Sequence, residues 1–168
     1  MTFGAETVTF LVFAIPLVLT AAGVVVSRSP MYAAMNLVAA FFCMAGIYVL
    51  LSAHLIAALQ ILVYAGAVMV LFLFVIMLLS LGTATLERDP QRAMQLVGVL
   101  GAIGVVGLLA AATREVAGLP MAEVGADFGT VKAVGRVLFT HYLLPFEATS
   151  LLLLVAIVGA VVVAKEKI

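Results

Sequence analysis

LIAALQILVYAGAVMVLFLFVIMLLSL, residues 55–81, is interrupted by polar side chains only at Gln60, Tyr64 and Ser80, none of which carries a fixed charge. Roughly 20 apolar residues suffice to cross the hydrocarbon core of a bilayer, so this stretch is long enough to span it. In lipid every backbone N–H and C=O must find its partner inside the protein. The run lacks the period-two alternation of a barrel strand, which leaves the helix. Working outward, similar runs occupy Val8 to Val26, Met31 to Leu51, Ala93 to Ala112 and Ala148 to Ala164, each set off by a polar break. With Leu55 to Leu81 they predict an all-α membrane protein, a bundle of five transmembrane helices forming one membrane domain over residues 1–168. The whole composition agrees, since 67% of the 168 residues are hydrophobic and only 10% charged. A soluble fold has too little interior to hide that much apolar surface.

The breaks carry structure of their own. Ser27-Arg28-Ser29-Pro30 puts a proline at a helix entrance, and Asp89-Pro90 supplies an N-cap acceptor followed by proline at the first helical position. Between the second and third spans lies little more than Ser52-Ala53-His54. A connection this short forces an antiparallel hairpin. The first span resembles a signal peptide in length, but Glu6 stands where a positive n-region belongs and no polar mature domain follows, so it is read as a retained helix.

From Thr113 to Pro145 runs a longer connection holding Arg114, Glu115, Glu123, Asp127, Lys132 and Arg136. Val131, Val134, Val137, Leu138 and Tyr142 recur at helical spacing after Thr130, a candidate N-cap. The pattern predicts a short amphipathic helix at the membrane surface between spans four and five; an irregular loop is the plain alternative. In a five-span arrangement Arg28, Arg88, Arg92, Lys165 and Lys167 share one side, against Arg114, Lys132 and Arg136 on the other. The positive-inside rule then places the N-terminus outside and the C-terminus in the cytoplasm. Short loops and an Ala/Gly/Val-rich chain fit the plasma membrane of a bacterium.

Eight Lys plus Arg balance eight Asp plus Glu, so nothing in the charge points to nucleic acid. Cys43 is the only cysteine, and His54 and His141 are far apart. No disulfide, haem, iron–sulfur or zinc spacing can be drawn, and the chain is expected to hold no cofactor of its own.

Few residues are placed to carry function. In span two Ala33, Asn36, Ala40 and Cys43 share a face, with Asn36 able to bond across to another helix. Gly98, Gly101, Gly104 and Gly107 in span four would let a neighbouring helix approach, or are merely tolerated there. In span three Gln60 and Tyr64 stand four apart, on one helical face near the middle of the bilayer, with Gly66 just beyond. Leaving such groups unpaired in lipid costs several kcal/mol. They bond structurally, or they contact water. Glu147 opens span five, either as a first-turn acid favoured by the helix dipole or as a protonatable group facing other helices.

The segment from Ala58 through Gln60, Tyr64-Ala65-Gly66 and Val68-Met69 to Leu79 resembles the third helix of the J-subunit family of proton-pumping NADH:quinone oxidoreductase, respiratory complex I. That family includes the mitochondrial and plastid equivalents. A second likeness runs from Lys132 to Phe139 and on through Tyr142-Leu143-Leu144-Pro145-Phe146-Glu147-Ala148-Thr149-Ser150 to Gly159-Ala160, similar to the family's surface segment and fifth helix. Arg28, Pro30 and Ala33-Ala34 also stand as the family has them, so only span four and its flanks are generic.

The resemblance implies a membrane-arm subunit without a redox centre, seated between the quinone-site subunits and the antiporter-like subunits. FMN, iron–sulfur clusters and quinone are then expected in other subunits. It further implies that the third helix can carry a π-bulge near Tyr64 and Gly66, whose gain and loss accompany changes of state and open or interrupt a hydrated proton path; the candidate proton-path or gating residues of this chain are Tyr64, Gly66, Gln60 and Glu147. Gln60 departs from members that carry Glu there. Two other readings stand beside this one: a purely structural scaffold of the same complex, and a self-sufficient small transporter. The last fits poorly, because no span has Asp, Glu, Lys or Arg near its centre.

Overall fold

The computed structural model describes residues 4–79, 92–116, 125 and 127–165. Among these, helix α1 runs Ala5–Val26, α2 Pro30–Leu50 and α3 His54–Leu78. Helix α4 is Arg92–Val116, α5 Val131–Thr140 and α6 Leu143–Ala164. Five of the six are long and apolar enough to cross a membrane, and α5 is the short remaining one. The Asp89-Pro90 helix start, the end of the third span at Ser80-Leu81, and Arg88 and Lys167 of the charge bias lie outside the described residues. The chain divides into two compact units, Met1–Leu78 with Gly125–Ile168, and Leu79–Val124. Helix α4 belongs to the second, and all other helices to the first.

Residues that are buried in the first unit are almost all small: Ala34, Ala40, Ala45, Ala57 and Ala65, joined by Met69 and Gln60. Large side chains such as Leu19, Leu62, Leu71 and Leu152 point outward. This inverts the soluble pattern. Lipid supplies no hydrophobic reward for hiding a leucine, so helices associate where small residues let their backbones close up. Helix α1 packs along α2, and α2 in turn packs along α3. Gly46 of α2 receives the ring of Phe13, so closely that a Cβ there would come within 2.5 Å of the ring's Cδ1. Near the other end Asn36 lies over Gly23 and donates to Ser27 Oγ at 3.3 Å, while Ser27 Oγ donates to the Gly23 carbonyl at 2.6 Å. Asn36 thus bonds across helices, as its face in span two suggested.

Pro30 sits at the start of α2, where its missing N–H costs no helical bond. The helix ends in a Schellman motif: Ser52 N–H donates to Val49 O at 3.0 Å and Ala53 N–H to Tyr48 O at 2.9 Å. Ser52 takes the left-handed conformation, φ 59°, that glycine usually fills at this position. The hairpin between α2 and α3 is therefore as tight as its sequence implied.

Helix α5 starts at the predicted cap, with Thr130 Oγ1 accepting from Ala133 N–H at 3.2 Å. Helix α6 begins at Leu143, ahead of the Ala148 start that apolarity marks. Pro145 fits because it falls in the first turn, where backbone N–H groups have no helical acceptor. In consequence Glu147 is not a first-turn acid, for no acidic residue stands in that turn. The extra turn at the helix start moves the carboxylate beyond the reach of the terminal N–H groups.

Candidate functional site

Helix α3 is not wound uniformly. From His54 to Leu59 it is α-helical, from Gln60 to Val68 it is π-helical, and from Met69 to Leu78 it is α-helical again. In the π stretch the backbone bonds reach back five residues rather than four, as where Met69 N–H donates to Tyr64 O. Such windings are rare and in most proteins last a single turn. Here the stretch is nine residues long.

The winding sets which side chains face α2. Buried positions along α3 are Ala57, Gln60, Ala65 and Met69. Their spacings are three, five and four residues, so the wide step coincides with the π stretch. An unbroken α-helix would have put Tyr64, four residues after Gln60, on the same buried line. Instead Ala65 takes that place. Gln60 is 6% exposed and Tyr64 is 50% exposed. The expectation that the two share one face is corrected by the added residue in the turn. Tyr64 packs its ring edge-on against Phe41 of α2, with centroids 5.8 Å apart and planes at 70°.

Gly66 lies inside the π stretch. A Cβ at this position would stand 3.3 Å from the Ile61 carbonyl oxygen, five residues back. That is tighter than nearly all real Cβ contacts, so the π-helical carbonyl and a side chain at residue 66 compete for space. Glycine removes the competition.

Gln60, Tyr64 and Gly66 thus share one segment of one helix, and Glu147 stands apart from them in the second turn of α6. Glu147 is exposed within this chain, and its backbone carbonyl accepts from Ser150 Oγ at 2.8 Å. Helix α6 meets α5 through Phe139 and Phe146, whose rings are 5.0 Å apart and T-shaped. Cys43 is free and half-buried, and among the described residues no three His, Cys, Asp or Glu side chains gather as metal ligands would.

Sequence reasoning passed over three participants. Phe41 gave no signal beyond apolarity, and Ala65 gains its place only through the π winding. Gly129 is the third. It has φ +69° and packs its backbone against Ser52, and a glycine immediately before the Thr130 cap was the available hint.

The chain is similar to known proteins over nearly its whole length. The chain is 40% identical to the NAD(P)H-quinone oxidoreductase chain 6 of a Nostoc species, over 98% of this chain and 81% of that one. It is 36% identical to NADH-quinone oxidoreductase subunit J of Rhodobacter capsulatus, over 90% and 78% of the two chains. With the F(420)H(2) dehydrogenase subunit J of Methanosarcina mazei it shares 34% identity, over 95% and 91%. Residues 20–163 match the family described as NADH-ubiquinone/plastoquinone oxidoreductase chain 6, and the chain belongs to that family.

Proposed function

We propose that this chain is a membrane-arm subunit of a proton-translocating NADH:quinone oxidoreductase and helps couple quinone reduction to proton movement through the winding of helix α3. The observation that carries this reading is the π stretch Gln60–Val68, with a carboxamide buried at one end and a phenol brought to the outside near its middle. A π turn holds one residue more than an α turn. Its loss rotates the chain on one side of it by about 100°, the angle per residue at 3.6 residues per turn. Tyr64 would then move toward the line that Ala65 occupies, and a hydroxyl would replace a methyl group against α2. Exchange of that kind admits or expels water at mid-membrane, and so opens or interrupts a proton path without any electron passing through this chain.

In the same reading the redox chemistry belongs to FMN, iron–sulfur clusters and quinone in other subunits. The partners are the quinone-site and antiporter-like subunits and the bilayer. Glu147, exposed on α6, faces one of those partners and contributes to the electrostatics of the path. The chain sits in a bacterial plasma membrane with its N-terminus outside and its C-terminus in the cytoplasm. Cysteines placed at residues 2, 88 and 167 after replacement of Cys43 test the orientation: an impermeant reagent should label only residue 2 in intact cells, and labelling at 88 reverses it.

The deciding experiment measures NADH oxidation and proton uptake in inverted vesicles, normalised to assembled complex, for Gly66→Val and Tyr64→Phe. Gly66→Val should lower turnover and pumping together, and Tyr64→Phe should do so mildly. Normal rates and normal proton-to-electron ratios in both variants would remove the switch and leave α3 as scaffold.

A further inference from the structure

Helix α3 starts without a side-chain cap of its own. Its first-turn N–H groups have no helical acceptors, yet Leu55 N–H has a partner, the carbonyl of Gly129, at 3.1 Å. That carbonyl comes from a turn more than seventy residues further along the chain, just ahead of the surface helix α5. Two left-handed residues meet there, Ser52 at φ 59° and Gly129 at φ 69°. A Cβ at Gly129 would collide with the Ser52 carbonyl oxygen and come within 3.0 Å of Ala53 Cα. Only glycine satisfies both the backbone conformation and the close approach.

The turn that delivers this carbonyl is itself well held. Phe128 N–H donates to Gly125 O at 2.9 Å, Thr130 Oγ1 donates to Asp127 O at 2.8 Å, and the same Oγ1 caps α5. At its far end α5 is tied to α6 by the Phe139–Phe146 stack. The segment Gly125 to Phe139 therefore contacts the first turn of α3 at one end and the first turn of α6 at the other. From Leu55 to the start of the π stretch at Gln60 is five residues, about 7.5 Å at 1.5 Å per residue.

We infer that Gly129 is a positioning residue for helix α3: by capping Leu55 and seating the Ser52 turn, it fixes the angular setting from which the π stretch is wound. This rests on the reading of α3 as the moving part. A helix pinned at its first turn cannot pass a change of winding out through that end. Gaining or losing the π turn must instead rotate the chain beyond the added residue, Tyr64 and the side chains after it. Freed from the pin, the first turn can take up the rotation by slipping, and the same change of winding no longer moves those side chains.

The test uses the assembled complex carrying Gly129→Ala, Thr130→Ala or Gly66→Val, with two readouts. Amide hydrogen exchange is followed over residues 54–59, 60–68 and 69–78, and kcat and KM for quinone are measured beside it. In Gly129→Ala the Leu55 amide should exchange at least about fivefold faster, the factor corresponding to one net hydrogen bond. Protection across 60–68 should change with it, and kcat should fall at unchanged KM. Thr130→Ala leaves the contact itself intact but loosens the turn that presents it, and should show smaller changes of the same kind. It decides the matter if the Gly129→Ala complex does not assemble. A change confined to 54–59 with normal kcat would make the contact purely structural and overturn the inference, as would an unaltered Leu55 amide. If Gly129→Ala is silent while Gly66→Val lowers kcat, the positioning role falls and the reading of α3 stands. If Gly66→Val is silent as well, that reading falls first and takes the positioning role with it.

Discussion

Helices α3 and α6 start from similar material and end in different structures. Each is an apolar span of 25 or 22 residues with three polar groups in its first half, His54, Gln60 and Tyr64 in α3 and Glu147, Thr149 and Ser150 in α6. Both contain small residues at interface spacing: Ala57 and Ala65 in α3, and Ala156, Gly159 and Ala160 in α6. Yet α3 buries Ala57 and Ala65 against its neighbours and winds partly as a π-helix, whereas α6 is α-helical throughout and exposed along its length within this chain. Small residues permit two backbones to come close, but they do not choose the partner. Helix α3 has its partner in the chain because a three-residue connection, Leu51 to Ala53, holds it against α2.

Five substitutions probe that contrast. The largest effect is expected from Gly66→Val, where a Cβ meets the Ile61 carbonyl and a branched side chain crowds the turn further. Turnover per assembled complex should fall about tenfold, equivalent to roughly 1.4 kcal/mol on the barrier, in the inverted-vesicle assay. If turnover is unchanged, the winding of α3 has no bearing on rate and the two helices differ only in packing.

Next in size is a matched pair. Ala57→Leu adds bulk where α3 is 4% exposed and should destabilise its packing by about 1–3 kcal/mol, read as reduced accumulation of the chain in membranes. Ala156→Leu adds the same bulk to an exposed position of α6. If accumulation falls only when partner subunits are co-expressed, α6 faces another protein. Should it fall equally without them, the contrast between the helices is broken.

Glu147→Gln keeps the shape of the side chain and removes its charge. Now that Glu147 is placed beyond the first turn, the variant loses little dipole stabilisation, so assembly should be intact. Turnover should drop about threefold, some 0.65 kcal/mol on the barrier; normal oxidation and pumping would make the carboxylate dispensable. The smallest effect belongs to Tyr64→Phe, which retains the edge-on ring against Phe41 and should cost about twofold in pumping rate, near 0.4 kcal/mol.

The sequence by itself determined the solvent, the number of crossings, the tight α2–α3 hairpin, the Pro30 start and the Thr130 cap, because each follows from local composition or from bonds within a few residues. It also singled out the segment that winds as a π-helix, since Gln60, Tyr64 and Gly66 are conspicuous within an apolar run. What it could not determine was which of those polar groups is buried. Period-3.6 counting puts Gln60 and Tyr64 on one face, but α-turns and π-turns differ only by whether a carbonyl bonds four or five residues on. That difference is too small for residue type alone to settle in a run of similar apolar side chains. Contact with α2 separates them, burying Gln60 and Ala65 and leaving Tyr64 on Phe41. The place of Gly129 was likewise a tertiary decision: its left-handed backbone has meaning only once Ser52, distant in sequence, is folded against it.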